Sequence, residues 1–250
     1  MKKIVWIVGG SSGIGYELST LYLKNDYKVI VSSRNATKTP LLQELRESYK
    51  NNITLIDMDV IQMQSVDEAT QEAWKAYGEI NLCIYNAGVY ESMKVDEWKI
   101  NSFEQMMQIN YLGAVRVTNA LTPFFIQNGR GCFVYNSSIS SYFGLPYGGG
   151  YSAPKAALLN FCESIQPELE AKNIDIRVIN HGFVKTRLTD KNEFEMPQLL
   201  EASEAAKIIY DRLSNTKGFE IKFPFALSTF LYFLKVIPYK LAFYFTKKAL

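Results

Sequence analysis

Residues 3–15 read KIVWIVGGSSGIG, and the rest of the chain is organised by what this stretch becomes. The run IVWIV is apolar at every position and rich in β-branched side chains, the pattern of a strand buried on both faces. It ends in Gly9, Gly10, Ser11, Ser12, Gly13, Ile14 and Gly15, after which Leu18, Leu21 and Tyr22 recur at helical spacing. Strand, glycine-rich turn and helix in that order make a site for a pyrophosphate. Glycines let the backbone turn tightly and come close, and the helix offers its unpaired amides and positive dipole end. The candidate binding residues are Gly9, Ser11, Ser12, Gly13, Ile14 and Gly15. Two lysines ahead of an apolar run superficially suggest a secretory leader, but the run is short and breaks at once into the turn, so it reads as a first strand.

Outward from this unit the alternation continues. Residues 28–33 form a second strand and end at Ser33 and Arg34. In a dinucleotide fold this strand end meets the adenosine ribose, where an acid selects a free 2′-hydroxyl and an arginine accommodates a 2′-phosphate. With Arg34 there and no acid, NADP(H) is favoured over NAD(H); the alternative is a surface arginine. Helical residues 39–50 lead to strand ITLIDMDV, a helix over 64–77 to INLCIYNAG, and a long helix over 102–127 to GCFVYNS. A helix starting near Tyr151 leads to IDIRVIN, and one over 203–215 to GFEIKF. The expected fold is α/β: a doubly wound, Rossmann-like parallel sheet, with ligands at the carboxyl ends of its strands. Asp59, Asn86, Gly88, Ser138 and Gly182 fall at those ends.

Residues 136–155, NSSISSYFGLPYGGGYSAPK, carry a hydroxyl at Ser138, a phenol at Tyr151 and an ammonium at Lys155. A four-residue spacing on a helix stacks Tyr151 and Lys155 one turn apart on one face. Bringing a phenol from its ordinary pKa of about 10 toward 7 takes roughly 4 kcal/mol. One cation about 5 Å away supplies on the order of 3 kcal/mol at an effective dielectric near 20. The expectation is a tyrosine that exchanges a proton with a carbonyl or alcohol oxygen near neutral pH.

The chain has 250 residues and 48% hydrophobic composition, enough for one core, and 27 basic against 25 acidic side chains gives no nucleic-acid signature. Cys83, Cys132 and Cys162 are widely spaced and His181 is the sole histidine, so no metal site is expected and reduced thiols point to a cytoplasmic compartment.

Taken together these residues resemble the short-chain dehydrogenase/reductase family over nearly the whole chain. The glycine turn from Val8 to Gly15, Asn86-Ala87-Gly88, and Asn110, Ser138, Tyr151 and Lys155 match its motifs in order and spacing. The resemblance implies that Tyr151 is acid in reduction and base in oxidation, and that Ser138 holds the substrate oxygen. It implies that Lys155 binds the nicotinamide ribose and depresses the tyrosine pKa, with Asn110 positioning a water that links the lysine to solvent. Asp59 and Val60 would flank the adenine, and Gly182, Val184 and Thr186 the nicotinamide. The family usually has threonine where Val8 stands and proline where His181 stands. Pro154 and Pro167 are unusual in the active-site helix, Pro154 tolerable in its first turn and Pro167 able to bend it. His181 reads as a packing substitution rather than a catalytic group.

Residues 223–250 form an apolar C-terminal helical tail distinct from the dinucleotide-binding body of residues 1–222. Nine aromatics accompany Lys235, Lys240, Lys247 and Lys248 without an acid, leaving the body at −2. The apolar run is too short to cross a bilayer. It reads as a lid over the substrate, a subunit interface in a homodimer or homotetramer, or a peripheral membrane contact. The stretch Thr189 to Ala202 is expected to be a substrate loop. The function expected is an NADP(H)-dependent oxidoreductase interconverting an apolar secondary alcohol and its carbonyl; the alternative is a low-turnover dinucleotide-binding regulator or membrane-associated adaptor on the same fold.

Overall fold

The computed structural model describes residues 2–190 and 196–249, so residues 191–195 of the expected substrate loop lie outside the described residues. The first strand, β1 (Ile4–Val8), is buried at all five positions. Its side chains alternate between two cores, as the two-residue period of a strand requires. Val5 and Ile7 join one core with α1 (Gly13–Lys24), α2 (Pro40–Ser48) and α7 (Ala202–Asn215). Ile4, Trp6 and Val8 join the other with α3 (Met63–Tyr77), α5 (Gly113–Asn128) and α6 (Gly149–Glu170).

The remaining strands are β2 (Lys28–Ser33), β3 (Ile53–Asp57), β4 (Leu82–Tyr85), β5 (Gly131–Asn136), β6 (Ile174–His181), the short β7 (Val184–Lys185) and β8 (Leu200–Glu201), and β9 (Glu220–Phe223). Seven of them form one sheet in the order β3-β2-β1-β4-β5-β6-β9, and every pairing is parallel. The expected doubly wound sheet is therefore present. The strand order reverses between β1 and β4, and such a switch point opens a crevice at the carboxyl ends of the strands.

The single long helix expected over 102–127 is instead three pieces: α4 (Ile100–Met107), a π-helical turn (Gln108–Leu112) and α5. The wider turn displaces backbone carbonyls from the regular ladder, and distant side chains capture them. Tyr85 Oη donates to the Ile109 carbonyl, and Arg116 Nη1 donates to the Gln108 carbonyl at 3.3 Å. Gly113 makes the approach of Tyr85 feasible, because a Cβ there would stand 2.2 Å from Tyr85 Oη. The sequence of the helix alone holds no sign of this, since Tyr85 comes from β4.

α6 starts two residues earlier than Tyr151, at Gly149, which moves Pro154 from the first turn to the second. Gly150 thereby lacks the amide donor that residue 154 would otherwise offer it. The helix nevertheless runs through Pro167 to Glu170. The tail forms two helices, α8 (Phe225–Val236) and α9 (Tyr239–Thr246). Leu231, Leu234 and Ala242 are buried in the same core as Trp6 and Tyr85. Among the described residues, no helix is long and apolar enough to cross a membrane.

Two left-handed glycines separate the effects of backbone conformation and crowding. At Gly9 (φ 86°) an added Cβ would stand 2.5 Å from the Ala87 amide nitrogen, whereas at Gly129 (φ 68°) it would meet nothing within 4 Å. Gly129→Ala should cost about 1 kcal/mol, from the left-handed conformation alone. Gly9→Ala adds a backbone clash and should cost about 3 kcal/mol or more, lowering Tm by roughly 6–12 °C. Thermal unfolding followed by circular dichroism checks the order; equal losses would refute the close approach of Gly9 to Ala87.

Candidate active site

A cavity of about 480 Å3 opens at the switch point. Gly9, Ser11, Ser12, Gly13 and Ile14 line it from the turn after β1, and Ser33 and Arg34 from the end of β2. Asp59 and Val60 reach it beyond β3, Asn86, Ala87 and Gly88 beyond β4, and Ser138 beyond β5. Tyr151 and Lys155 reach it from α6, while Gly182, Val184 and Thr186 come from the segment at and after β6. Of the residues singled out in the sequence, Gly15 and Asn110 do not line it. Gly15 packs behind the turn, where a Cβ would stand 2.3 Å from the Gly9 carbonyl oxygen. Asn110 is fully buried in the π-helical turn; its Oδ1 accepts from the Val89 amide at 2.8 Å and its Nδ2 donates to the Val89 carbonyl at 2.9 Å.

The turn residues fit a dinucleotide pyrophosphate. Ser12 occupies the N-cap of α1 without a side-chain hydrogen bond to the helix amides, and the first turn carries no acidic side chain. Those donors and the helix dipole therefore face the cavity uncompensated. At the neighbouring strand end Arg34 is exposed, and Asp57, the acid beside it on β3, is engaged elsewhere. The Asp57 carboxylate accepts from the Thr37 amide at 2.8 Å and from Thr37 Oγ1 at 2.6 Å.

A chain of hydrogen bonds ties the strand ends together. Asn86 Nδ2 donates to the Gly9 carbonyl at 2.8 Å, and Asn136 Nδ2 donates to Asn86 Oδ1 at 2.7 Å. Lys155 Nζ donates to the Asn136 carbonyl at 2.7 Å. Asn136 was not singled out in the sequence. Its signal would have been an amide at the end of β5 in line with Asn86 at the end of β4, but only strand adjacency puts them in contact.

Around Tyr151, the Ser138 hydroxyl hydrogen-bonds the phenol, and the Tyr90 ring meets it edge to face at 5.0 Å. Lys155 Nζ lies 5.6 Å from the Tyr151 ring centroid. Burial pushes the phenol well above its ordinary pKa, against the opposing pull of Ser138. The expectation that Lys155 draws the phenol toward neutrality is not met in this arrangement, and the physical reason is reciprocal. Burial also disfavours the ammonium, lowering Lys155 to about 8, and its proton is directed at the Asn136 carbonyl.

His181 lines the cavity with its ring Nδ1 2.7 Å from the Gly182 carbonyl oxygen, a separation that assigns the proton to Nδ1. Burial lowers its pKa to about 4, so the imidazole is neutral at physiological pH. Part of the cavity lining is apolar. Leu145, Pro146 and Leu188 line it together with Leu227, Phe230 and Leu231 of α8, so the tail contributes to the wall of the cleft.

Residues 3–196 match the family model for short chain dehydrogenase. The chain is 29% identical over 235 residues to an uncharacterized oxidoreductase of Myxococcus xanthus, covering 93% of this chain and 91% of that one. It is also 29% identical over 192 residues to dehydrogenase/reductase SDR family member 7B of Xenopus laevis, covering 74% of this chain but 59% of that protein, so it spans about three fifths of the length of that relative. Among solved structures, ElxO with NADP bound superimposes with a TM-score of 0.80 at 29% identity, covering 89% of this chain and 97% of that one. A short-chain dehydrogenase from Streptomyces avermitilis gives a TM-score of 0.82 at 22% identity, over 93% and 92% of the two chains, a likeness of fold. A glycine turn at a switch point, a serine, tyrosine and lysine lining the same cavity, and a family match over most of the length lead to one assignment: this chain belongs to the short-chain dehydrogenase family.

Proposed function

We propose that the protein is an NADP(H)-dependent oxidoreductase that interconverts an apolar secondary alcohol and its carbonyl compound. The observation that carries this reading is the Tyr151 phenol, hydrogen-bonded to Ser138 and lining the same cavity as the glycine turn and the apolar residues of α8. When bound, the nicotinamide would supply the hydride in reduction and accept it in oxidation. Everything else falls to residues of this chain. Tyr151 gives a proton to the substrate oxygen in reduction and takes one in oxidation, and Ser138 holds that oxygen. Lys155, held on the Asn136 carbonyl, would bind the nicotinamide ribose and places a positive charge near the phenol. Asn110 acts as a positioning residue: its side chain holds the Val89 backbone through two hydrogen bonds.

The 2′-phosphate preference is supported by Arg34, which has no ion-pair partner among the described residues, by the engagement of Asp57 with Thr37, and by the NADP bound in ElxO. The apolar substrate is supported by the wall that α8 builds.

Burial holds Tyr151 in its protonated form, so the acid is fully populated at neutral pH and the base form appears only as pH rises. The pH–rate profile should therefore be flat for reduction between about pH 6 and 8 and should rise with pH for oxidation; both activities should fall by roughly 100-fold to 10,000-fold in Tyr151→Phe. An oxidation rate that declines with rising pH would sink the assignment of Tyr151 as base.

Arg34→Asp should lower the preference for NADPH over NADH by about tenfold to 100-fold, the range expected when a charge-assisted contact is lost and replaced by repulsion. Fluorescence titration with each nucleotide reads it directly, and an unchanged ratio would remove the basis for the cofactor assignment.

Lys155 also links function to stability. Its folded-state pKa of about 8 lies below the ordinary 10.5, so its charge is penalised on folding. The penalty is complete below about pH 8, where both states are charged, and is gone above about pH 10.5. Lys155→Met should therefore abolish turnover yet raise stability near neutral pH by on the order of 2 kcal/mol, after allowing for the lost bond to Asn136. Denaturant titrations across that pH range should show the gain disappearing as pH rises.

A further inference from the structure

The tail has two faces, and only one is used by the fold. On α8, Leu227, Ser228, Leu231 and Leu234 point inward to the core or the cleft. The opposite stripe, Phe225, Thr229, Phe233 and Val236, recurs at intervals of four, four and three and is exposed, with Phe230 and Tyr232 exposed beside it. A surface helix ordinarily places charged and polar side chains outward; this stripe carries one hydroxyl. Tyr239, Leu241, Phe243 and Tyr244 continue the surface on α9. Of the fifteen large hydrophobic side chains exposed among the described residues, nine lie on these two helices.

Charge identifies what covers them. Lys235, Lys240, Lys247 and Lys248 are all exposed, no acid occurs in residues 223–250, and none of the four forms an ion pair among the described residues. A second copy of the same face would set four cations against four. An anionic bilayer offers acyl chains to the aromatic stripe and negative headgroups to the lysines. Phe230 is at once 43% exposed and part of the cavity wall, so the outward face and the cleft meet at one side chain.

We propose that α8 and α9 dock in the plane of an anionic membrane surface, with the mouth of the cleft at Phe230 turned toward the lipid so that an apolar substrate reaches Tyr151 from the bilayer. Docking is carried by residues outside the catalytic group, and its test does not depend on turnover or cofactor.

The full chain is sedimented with phosphatidylcholine vesicles, pure or containing about 30% phosphatidylserine, at low salt and at about 0.5 M salt. Binding to the anionic vesicles should be at least about tenfold tighter and should weaken at high salt. Phe233→Glu with Phe243→Glu should reduce it by a further factor of about ten or more, and Lys240→Glu with Lys247→Glu and Lys248→Glu should remove the preference for anionic lipid. Unchanged thermal unfolding shows that a variant is folded; if the outward Phe pair disturbs the fold, the lysine variant alone decides. No binding to either vesicle, or binding indifferent to the lysine variant, would overturn the proposal. So would sedimentation equilibrium showing an oligomer that the Phe variant dissolves while vesicles go unbound, which would assign the face to a second copy.

Discussion

The hydrogen bonds that run from the Gly9 carbonyl through the side chain of Asn86 to Asn136, whose main-chain carbonyl accepts from the ammonium of Lys155, hold three strand ends and one helix in a single register. Each link crosses from one element to the next: the turn after β1, the end of β4, the end of β5 and the second turn of α6. The turn that fits a pyrophosphate and the group that would assist proton transfer are thereby fixed relative to one another. Polar links of this kind hold best when every member is satisfied; here Asn136 Oδ1 is buried without a hydrogen-bond partner among the described residues.

Burial sets the electrostatic character of the same centre. It raises the phenol of Tyr151 and lowers the ammonium of Lys155, so both groups are driven toward neutrality. A simple pair attraction at 5 Å suggests the opposite for the tyrosine. The largest influence on the phenol is its own desolvation, which raises it, with the Ser138 hydrogen bond opposing. A site in this condition favours the form in which the phenol carries its proton, the form that donates.

The C-terminal helices follow a related economy of surfaces. Leu231 and Leu234 complete the core, Leu227 and Phe230 complete the cleft, and the aromatic stripe remains outside. One short helix thus serves the fold and the binding wall with neighbouring side chains, while its outward face is exposed.

Much of this was legible in the sequence because it is local. The run KIVWIV followed by Gly9 to Gly15 specifies strand, turn and helix within thirteen residues, and the period of the apolar positions specifies each later element. Most of the cleft residues follow, since strand ends in a parallel sheet converge whatever lies between them. Tertiary structure alone decided the rest, where the partners are remote in sequence. The π-helical turn depends on Tyr85 and Arg116 capturing carbonyls of Ile109 and Gln108, and it directs Asn110 to Val89 rather than to the cleft. Asn136 gained its place only when β4 and β5 became neighbours. The balance between burial and charge at Tyr151 depends on how much protein surrounds it, a quantity that no spacing of residues contains.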